Sequence, residues 1–210
     1  MKLFISDLHF FHRNLNTKMD MRGFEDEFQM NEYIIERWNK KVTNKDEVYI
    51  LGDFSFGDAV KTQEVLDRLK GRLYLIKGNH EKYLDFRRFD TSRFIWVKDY
   101  EEIHDNKRKI ILSHYPIMCY NGQYRFDGDN NPKTYMLYGH VHNTYDEVLI
   151  NNYINMVRNS KKLMLHTGEE DNIPCNMINC FCMFSDYQPL TLDEWIEVDR
   201  ERREKMNSSI

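Results

Sequence analysis

The sequence is poor in the residues from which linkers, repeats and disulfide frameworks are built. Proline occurs four times and glycine nine times in 210 residues, and no stretch rich in glycine, serine or proline divides the chain. We therefore expect a single domain, since a domain commonly contains about 100–200 residues. The four cysteines form no CxxC pair, which argues against a zinc ribbon or a disulfide scaffold and favours buried free thiols.

An excess of one charge and long apolar runs are also lacking. Lysine and arginine number 30 against 34 aspartate and glutamate, for a formal net charge of −4. This mild acidity argues against a broad basic face, so nucleic acid is a possible partner that the composition does not indicate. No apolar run approaches the ~18 residues of a membrane-spanning helix, and no signal peptide begins the chain. We expect a cytoplasmic protein without a membrane partner, and the sequence makes no prediction of its oligomeric state.

Five short apolar runs stand out, each followed within a few residues by polar side chains that can bind a metal. The runs lack strict alternation, which is typical of strands covered on both faces. Helical patterns separate the first three runs, so the order strand, helix, strand, helix, strand predicts a parallel sheet. From Phe94 onward strands follow one another directly, which indicates a mixed sheet or two packed sheets. The five runs occupy residues 3–6, 48–51, 73–77, 110–113 and 135–138.

Two helices are predicted in the second half of the chain. Residues 146–164 carry apolar side chains at helical spacing, which predicts a helix inserted into the domain and placed to form a wall of a cleft. Thr191 and Glu194 form a capping box that begins a last helix, which extends to about Lys205. The predicted domain therefore covers residues 1–206, and residues 207–210 are expected to form a flexible tail.

The polar residues after the five runs are expected to meet, because ligands of α/β sheets bind beyond the carboxyl ends of the strands. Carboxylate, imidazole and amide oxygen suit manganese, iron, zinc or nickel. Seven or eight such groups exceed the needs of one ion and suit two ions that share a bridging carboxylate. Two divalent ions beside two carboxylates and a hydroxide leave a small positive charge, which favours a phosphoester as substrate. The candidates are Asp7, His9, Asp53, Asn79, His80, His114, His140 and His142.

These residues form five motifs that resemble, in order, those of the calcineurin-like metallophosphoesterase superfamily. The resemblance extends from about Lys2 to about Leu190 and is nearest to the small single-domain bacterial and phage members. It implies an α/β fold, a four-layer α/β/β/α sandwich with mixed sheets. The motifs are Asp7-x-His9, Gly52-Asp53, Gly78-Asn79-His80-Glu81, His114 and Gly139-His140-x-His142.

The resemblance also implies a role for each candidate residue. His80 would protonate the leaving alkoxide or hydrogen-bond the phosphate, and the other seven residues would bind metal. The implied cofactors are two divalent metal ions per chain, with manganese favoured and iron, zinc or nickel as alternatives. The first metal would be bound by Asp7, His9 and His142, the second by Asn79, His114 and His140, and both by Asp53.

The implied activity is hydrolysis of a small phosphoester by attack of a metal-activated hydroxide on phosphorus. A nucleotide-like phosphodiester is favoured as substrate because small members of the superfamily frequently prefer one. A phosphomonoesterase and a nuclease are alternatives with the same site. A non-catalytic scaffold that binds a protein partner is a further alternative, which the retention of all seven ligands disfavours.

The chain departs from the superfamily's protein phosphatases after Gly52-Asp53. Those enzymes continue with x-x-Asp-Arg-Gly, whereas this chain has Phe56 and Gly57 in place of the Asp and the Arg. The carboxylate expected to orient the catalytic histidine is therefore missing, which disfavours a protein phosphatase. Asp58 or Glu81 could substitute for it, or His80 could act without such a partner.

Two further side chains are candidate substrate contacts. His12 follows His9 by about one turn of chain. It could contact the substrate phosphate or the residues that surround the metals, or it could be an ordinary packed or solvent-facing histidine. Arg125 lies in the polar loop at residues 120–133, which contains glycines and a proline and is expected to form a mobile rim. It could contact the substrate, or be an ordinary surface arginine.

Overall fold

Two four-stranded sheets form the centre of the molecule in the computed structural model, which describes residues 1–129, 131–163 and 168–207. The first sheet has the order β1-β2-β3-β4 and is parallel throughout. The second has the order β10-β7-β6-β5 and is mixed, because β5 is antiparallel to β6. The strands are β1 (Lys2–Ile5), β2 (Glu47–Leu51), β3 (Arg72–Ile76), β4 (Phe94–Lys98), β5 (Tyr100–Asp105), β6 (Arg108–Ser113), β7 (Thr134–Tyr138), β8 (Lys161–Leu163), β9 (Glu170–Asn172) and β10 (Met177–Asn179).

The described helices cover the two outer faces and one edge of this pair of sheets. Side chains of α1 and α2 pack on the first sheet in one buried cluster, and α3 packs on the second sheet in another. A third cluster lies between the sheets and includes Trp195 of α4. The layer order is therefore helix, sheet, sheet, helix, which confirms the predicted four-layer sandwich. The helices are α1 (Glu27–Lys41), α2 (Ala59–Arg68), α3 (Tyr145–Arg158) and α4 (Leu192–Asn207).

Local sequence signals determine where these helices begin. The carboxylates of Asp26 and Asp58 accept hydrogen bonds from backbone N–H groups in the first turns of α1 and α2. Thr191 and Glu194 form the predicted capping box, since each side chain accepts a hydrogen bond from the backbone N–H of the other. In the described part of the chain, no helix is long and apolar enough to cross a membrane.

The predicted helix at 146–164 is correct in its first part and wrong at its end. The helix α3 ends at Arg158, and the chain then forms β8, which pairs with β9 in a small antiparallel sheet. Asn159 and Ser160 follow the helix, and such residues compete with helical hydrogen bonds through their side chains. Residue 164 lies outside the described residues. Of the predicted tail, residue 207 belongs to α4, and 208–210 lie outside the described residues.

Trp195 attaches α4 to the first sheet, and its loss is predicted to destabilise the whole sandwich. Its side chain is fully buried, and its indole N–H donates a 2.8 Å hydrogen bond to the backbone oxygen of Phe4 in β1. We expect Trp195→Ala to lower the free energy of unfolding by about 3–5 kcal/mol in urea denaturation, because it leaves a cavity between the sheets. The exposed Val60 is a control, since Val60→Ala should change the free energy of unfolding by less than about 0.5 kcal/mol. A loss at Trp195 no larger than that of the control would contradict this role.

Candidate metal centre

The loops that follow β1, β2, β3, β6 and β7 meet at one end of the two sheets. Backbone hydrogen bonds join them: the N–H of Asp7 donates to the oxygen of Gly52, and that of Gly139 to the oxygen of His114. The N–H of His9 donates to the oxygen of Asp53 at 2.9 Å. The site is thus assembled from both sheets, and its parts are joined through main-chain contacts.

The structure brings six of the seven candidate ligands together in two groups that share one residue. Asp53 is common to both groups, in each of which the ligating atoms lie within 4.8 Å of one another. Its Oδ2 lies 3.4 Å from His9 Nε2, and its Oδ1 lies 3.6 Å from His114 Nε2. The two oxygens of one buried carboxylate therefore face different groups. The first group is Asp7, His9, Asp53 and His142, and the second is Asp53, His114 and His140.

Asn79 belongs with the second group. Its side-chain oxygen lies 3.1 Å from His114 Nε2 and 3.0 Å from His140 Nδ1. The amide oxygen and two imidazole nitrogens therefore converge on one place beside Asp53.

Backbone strain is concentrated in these residues. Non-glycine residues seldom adopt a positive φ, and such strained positions cluster at functional sites. Five of the seven candidate ligands adopt φ values between 48° and 70°. The fold therefore maintains an unfavourable backbone in order to direct these side chains at one point. The five residues are Asp7, His9, Asp53, His140 and His142.

Two motif glycines are required by close packing inside the site. A Cβ atom on Gly78 would lie 2.2 Å from Asp53 Oδ1, and one on Gly52 would lie 2.3 Å from His114 Nδ1. Gly52 also adopts a φ of 90°. Neither position can therefore take a side chain without moving a candidate ligand.

Hydrogen bonds determine which ring nitrogens can bind a metal. His142 Nδ1 lies 2.7 Å from Asp20 Oδ1, and His114 Nδ1 lies 2.8 Å from the backbone oxygen of Leu51. Because these oxygens can only accept, each Nδ1 carries a proton, and the Nε2 of each neutral ring is left with a free lone pair. This tautomer is the one a metal at Nε2 requires.

The free lone pairs then face fixed acceptors in Asp7 and Asn79, and a ring nitrogen of His9 whose role depends on its tautomer. His142 Nε2 lies 3.1 Å from His9 Nε2 and 3.6 Å from Asp7 Oδ1. In the second group, His114 Nε2 faces the Asn79 oxygen. Acceptors in contact repel one another unless a proton or a cation lies between them. The donor set of imidazole, carboxylate and amide oxygen therefore fits divalent transition metals in both groups.

Burial shifts the pKa values of several candidate ligands. Burial, with the neighbouring His142, lowers the pKa of His9 well below its usual value. Burial raises the pKa of Asp53, with Asp7 adding to the rise, and burial also lowers the pKa of His140. Each shift disfavours the charged form of an isolated group, so a bound cation would stabilise the carboxylates.

Sequence reasoning missed Asp20 and Arg22, which contact the first ligand group. Asp20 hydrogen-bonds to His142, and Arg22 hydrogen-bonds to the backbone of Asp7. The two side chains are buried and form a 2.9 Å ion pair, and Arg22 donates hydrogen bonds to the backbone oxygens of Asp7 and Leu8. Burial opposes the charge on Asp20, but the hydrogen bond from His142 and the charge of Arg22 lower its pKa. For His142 burial acts downward, yet the bond to Asp20 raises the pKa. Both residues lie in an irregular loop, so no periodicity signals them.

His80 lies beside the cluster, and both carboxylates suggested as its orienting partner have other roles. Its backbone N–H donates to Asp53 Oδ1, and its ring lies 5.4 Å from the His9 ring. Glu81 accepts hydrogen bonds from the backbone of Phe54 and Gly78. Burial and the charge of Asp53 raise the pKa of Glu81 to about 8. Asp58 caps α2. The alternative in which His80 acts without such a partner is therefore favoured.

The two candidate substrate contacts occupy different places. The His12 ring lies 5.4 Å from the His9 ring and 6.3 Å from the His80 ring, at the rim of the cluster. Arg125 is exposed and lines a cavity with Lys109, which lies near the opposite end of β6 from His114. The structure therefore places His12 with the cluster and does not bring Arg125 to it.

The chain matches the calcineurin-like phosphoesterase family over residues 3–205. It is a member of that family. The match covers every candidate ligand described above. The family and the buried cluster together indicate a hydrolase with a divalent metal site.

Relatives of similar length occur in an archaeon, a phage and a thermophilic bacterium. The chain is 32% identical over 192 residues to the uncharacterised protein MJ1445 of Methanocaldococcus jannaschii, covering 90% of this chain and 85% of that one. It is 30% identical over 159 residues to the gene 66 protein of Mycobacterium phage D29, covering 66% and 77%. A crystal structure of the Aquifex aeolicus protein of unknown function AQ665 superimposes with a TM-score of 0.61 at 25% identity, covering 94% and 98%.

A methyl group at Gly78 should damage the metal centre of this phosphoesterase. In Gly78→Ala the new Cβ would displace the Asp53 carboxylate that both groups share, so we expect metal affinity to fall at least tenfold in titration calorimetry. Gly128→Ala is the matched control, because a Cβ there meets nothing within 4 Å. Equal metal affinity in the two variants would show that the position of Asp53 is not decisive.

Removal of the Asp20 carboxylate should weaken metal binding without removing a ligand. In Asp20→Asn one acceptor oxygen remains where the carboxylate offers two, so the His142 ring and Arg22 compete for it and the tautomer of His142 is no longer fixed. Groups of this kind are typically worth about 10- to 100-fold in metal affinity. Metal content and calorimetric affinity would test this, with the melting temperature recorded to detect misfolding. Asp90→Asn, which alters an exposed cap of a short turn, is the control. Unchanged affinity in a folded Asp20→Asn protein would contradict the positioning role.

Proposed function

We propose that this protein is a binuclear metal-dependent phosphoesterase that hydrolyses a small phosphodiester, with a nucleotide-like ester as the favoured substrate. The observation that carries the proposal is the placement of Asp53, whose two oxygens face two separate groups of ligating atoms. A shared carboxylate is what a pair of metal ions requires. Two ions bound there would clamp phosphate oxygens and supply hydroxide at neutral pH.

The charge around the cluster supports a diester over a monoester. A phosphodiester carries one negative charge near neutral pH, whereas a phosphomonoester carries nearly two. Among the described residues, no lysine or arginine forms an ion pair with Asp7 or Asp53. Arg22 is bound by Asp20 and by backbone oxygens. Gly57 occupies the position at which the protein phosphatases have an arginine. The side chains at the rim are imidazoles and aromatic rings, which suit the less charged ester.

The remaining parts of the proposal concern the metal, the acid and the location. The donor set suits manganese, with iron, zinc or nickel as alternatives. His80 lies at the rim, where it can donate a proton or a hydrogen bond to the leaving oxygen. All four cysteines are free thiols, and this supports a cytoplasmic location.

The proposed activity can be measured with metal-stripped protein supplied in turn with manganese, nickel, zinc, iron or magnesium. We expect hydrolysis of a nitrophenyl phosphodiester that depends on added metal and exceeds hydrolysis of the matched monoester. Asp53→Ala should abolish both the hydrolysis and the binding of metal. Faster turnover of the monoester would replace the phosphodiesterase by a phosphomonoesterase. Two bound ions without turnover of either ester would favour the scaffold.

His80→Ala separates proton donation from metal binding. Removal of a general acid typically lowers turnover about 10²- to 10⁴-fold, whereas the metal content should remain near that of the unaltered protein because His80 is not among the converging ligands. His104→Ala is the control, since His104 is an exposed residue of β5. Full activity in His80→Ala would remove the proposed role.

A further inference from the structure

Phe56 is a large apolar side chain left partly open to solvent at the rim of the candidate metal centre. It is 49% exposed. One face of its ring stacks on His12, with ring centroids 4.2 Å apart and planes 9° from parallel. Singly exposed apolar residues are common on protein surfaces. This one differs because it is stacked on an imidazole and lies beside the residues proposed to act on the phosphoester.

The backbone that carries Phe56 is well ordered. The N–H of Phe56 donates a 2.8 Å hydrogen bond to the oxygen of Phe10, and Ser55 forms a bridge with Phe10. The Ser55 hydroxyl hydrogen-bonds to that of Thr62 in α2 at 2.8 Å and accepts from the N–H of Gly57. These bonds fix the backbone of Phe56, and the stack on His12 contacts its ring, which reduces the ordering that binding requires.

The position of the ring relates it to the leaving group of a substrate. The Phe56 ring lies 5.3 Å from the ring of His80, the candidate proton donor. A second exposed aromatic residue, Tyr115, lies 4.5 Å from the His140 ring, on the side of the second ligand group. A planar group attached to a phosphate near His80 would therefore meet Phe56 rather than Tyr115.

We propose that Phe56, backed by His12, forms a subsite that stacks a nucleobase of the substrate. This inference rests on the proposed function, and it names the residue that would make that function selective for nucleotides. Stacking on an aromatic side chain tolerates all bases and strengthens binding by about 5- to 150-fold per base. The subsite therefore selects for the presence of a base and discriminates little among bases.

The test compares two ligands that differ in the base alone, AMP and ribose 5-phosphate. Their affinities for the manganese-loaded protein would be measured by titration calorimetry, with product analysis to exclude turnover. We expect AMP to bind at least fivefold more tightly than ribose 5-phosphate. Phe56→Leu, which retains an apolar side chain without a ring, should remove most of that difference by weakening AMP alone. Phe56→Trp should restore the preference.

Phe86→Leu is the matched control, because Phe86 is 53% exposed and lies outside the site. It should leave the preference for AMP intact. Equal affinity for the two ligands, no binding of either, or a preference that survives Phe56→Leu would overturn the subsite. Since the readout is binding, a preference for AMP in a protein that hydrolyses no ester would refute the phosphoesterase and leave the subsite standing. Hydrolysis of the diester without a preference for AMP would support the phosphoesterase and refute the subsite.

Discussion

The convergence of acceptor atoms and ring nitrogens on one buried carboxylate is the constraint on which the site depends. Imidazole, carboxylate and amide acceptors meet around Asp53 at distances of 3.0–3.6 Å, an arrangement that a folded chain reaches only if the surrounding structure imposes it. Positive φ angles, the small size of Gly78 and the proton-fixing partners of His114 and His142 impose it here. A bound cation would be satisfied by these acceptors, so the features that strain the backbone also suit the site for metal.

The two sheets provide the rigidity that this arrangement needs. The first sheet is parallel, and β6 and β7 are parallel in the second, so their loops emerge at one end. Ser6 and Phe181 form a bridge that joins the sheets directly beside the cluster. Arg22 then connects the loop after β1 to Asp20, and through it to His142 of the other sheet. Packing between the layers, rather than any single loop, thus determines the geometry of the candidate ligands.

The rim of the site differs in character from its floor. Acceptor atoms and a buried ion pair form the floor, whereas Phe56, His12 and Tyr115 form a rim of rings. The acceptor atoms of the floor suit the phosphate end of the proposed substrate, and the rings of the rim suit the organic group attached to that phosphate. In the proposed function, the motif residues carry out the family's common chemistry, and side chains outside the motifs select the substrate. Phe56 stands where the family's protein phosphatases carry an aspartate, so one departure in sequence changes the character of the rim.

Short-range sequence signals predicted the strand ends, the capping box of α4 and the seven candidate ligands, because hydrophobic runs and motif spacing are local. These signals predicted an α3 that is too long, because apolar residues continue at helical spacing past Asn159 whereas the helix ends at Arg158. Only the tertiary structure shows that Asp20 hydrogen-bonds to His142 and that Glu81 accepts hydrogen bonds from the backbone. It also shows that Arg125 lies away from the cluster and that Phe56 stacks on His12. Those contacts join residues from separate loops, and a loop's path is decided by what the sheets bring against it rather than by its own residues.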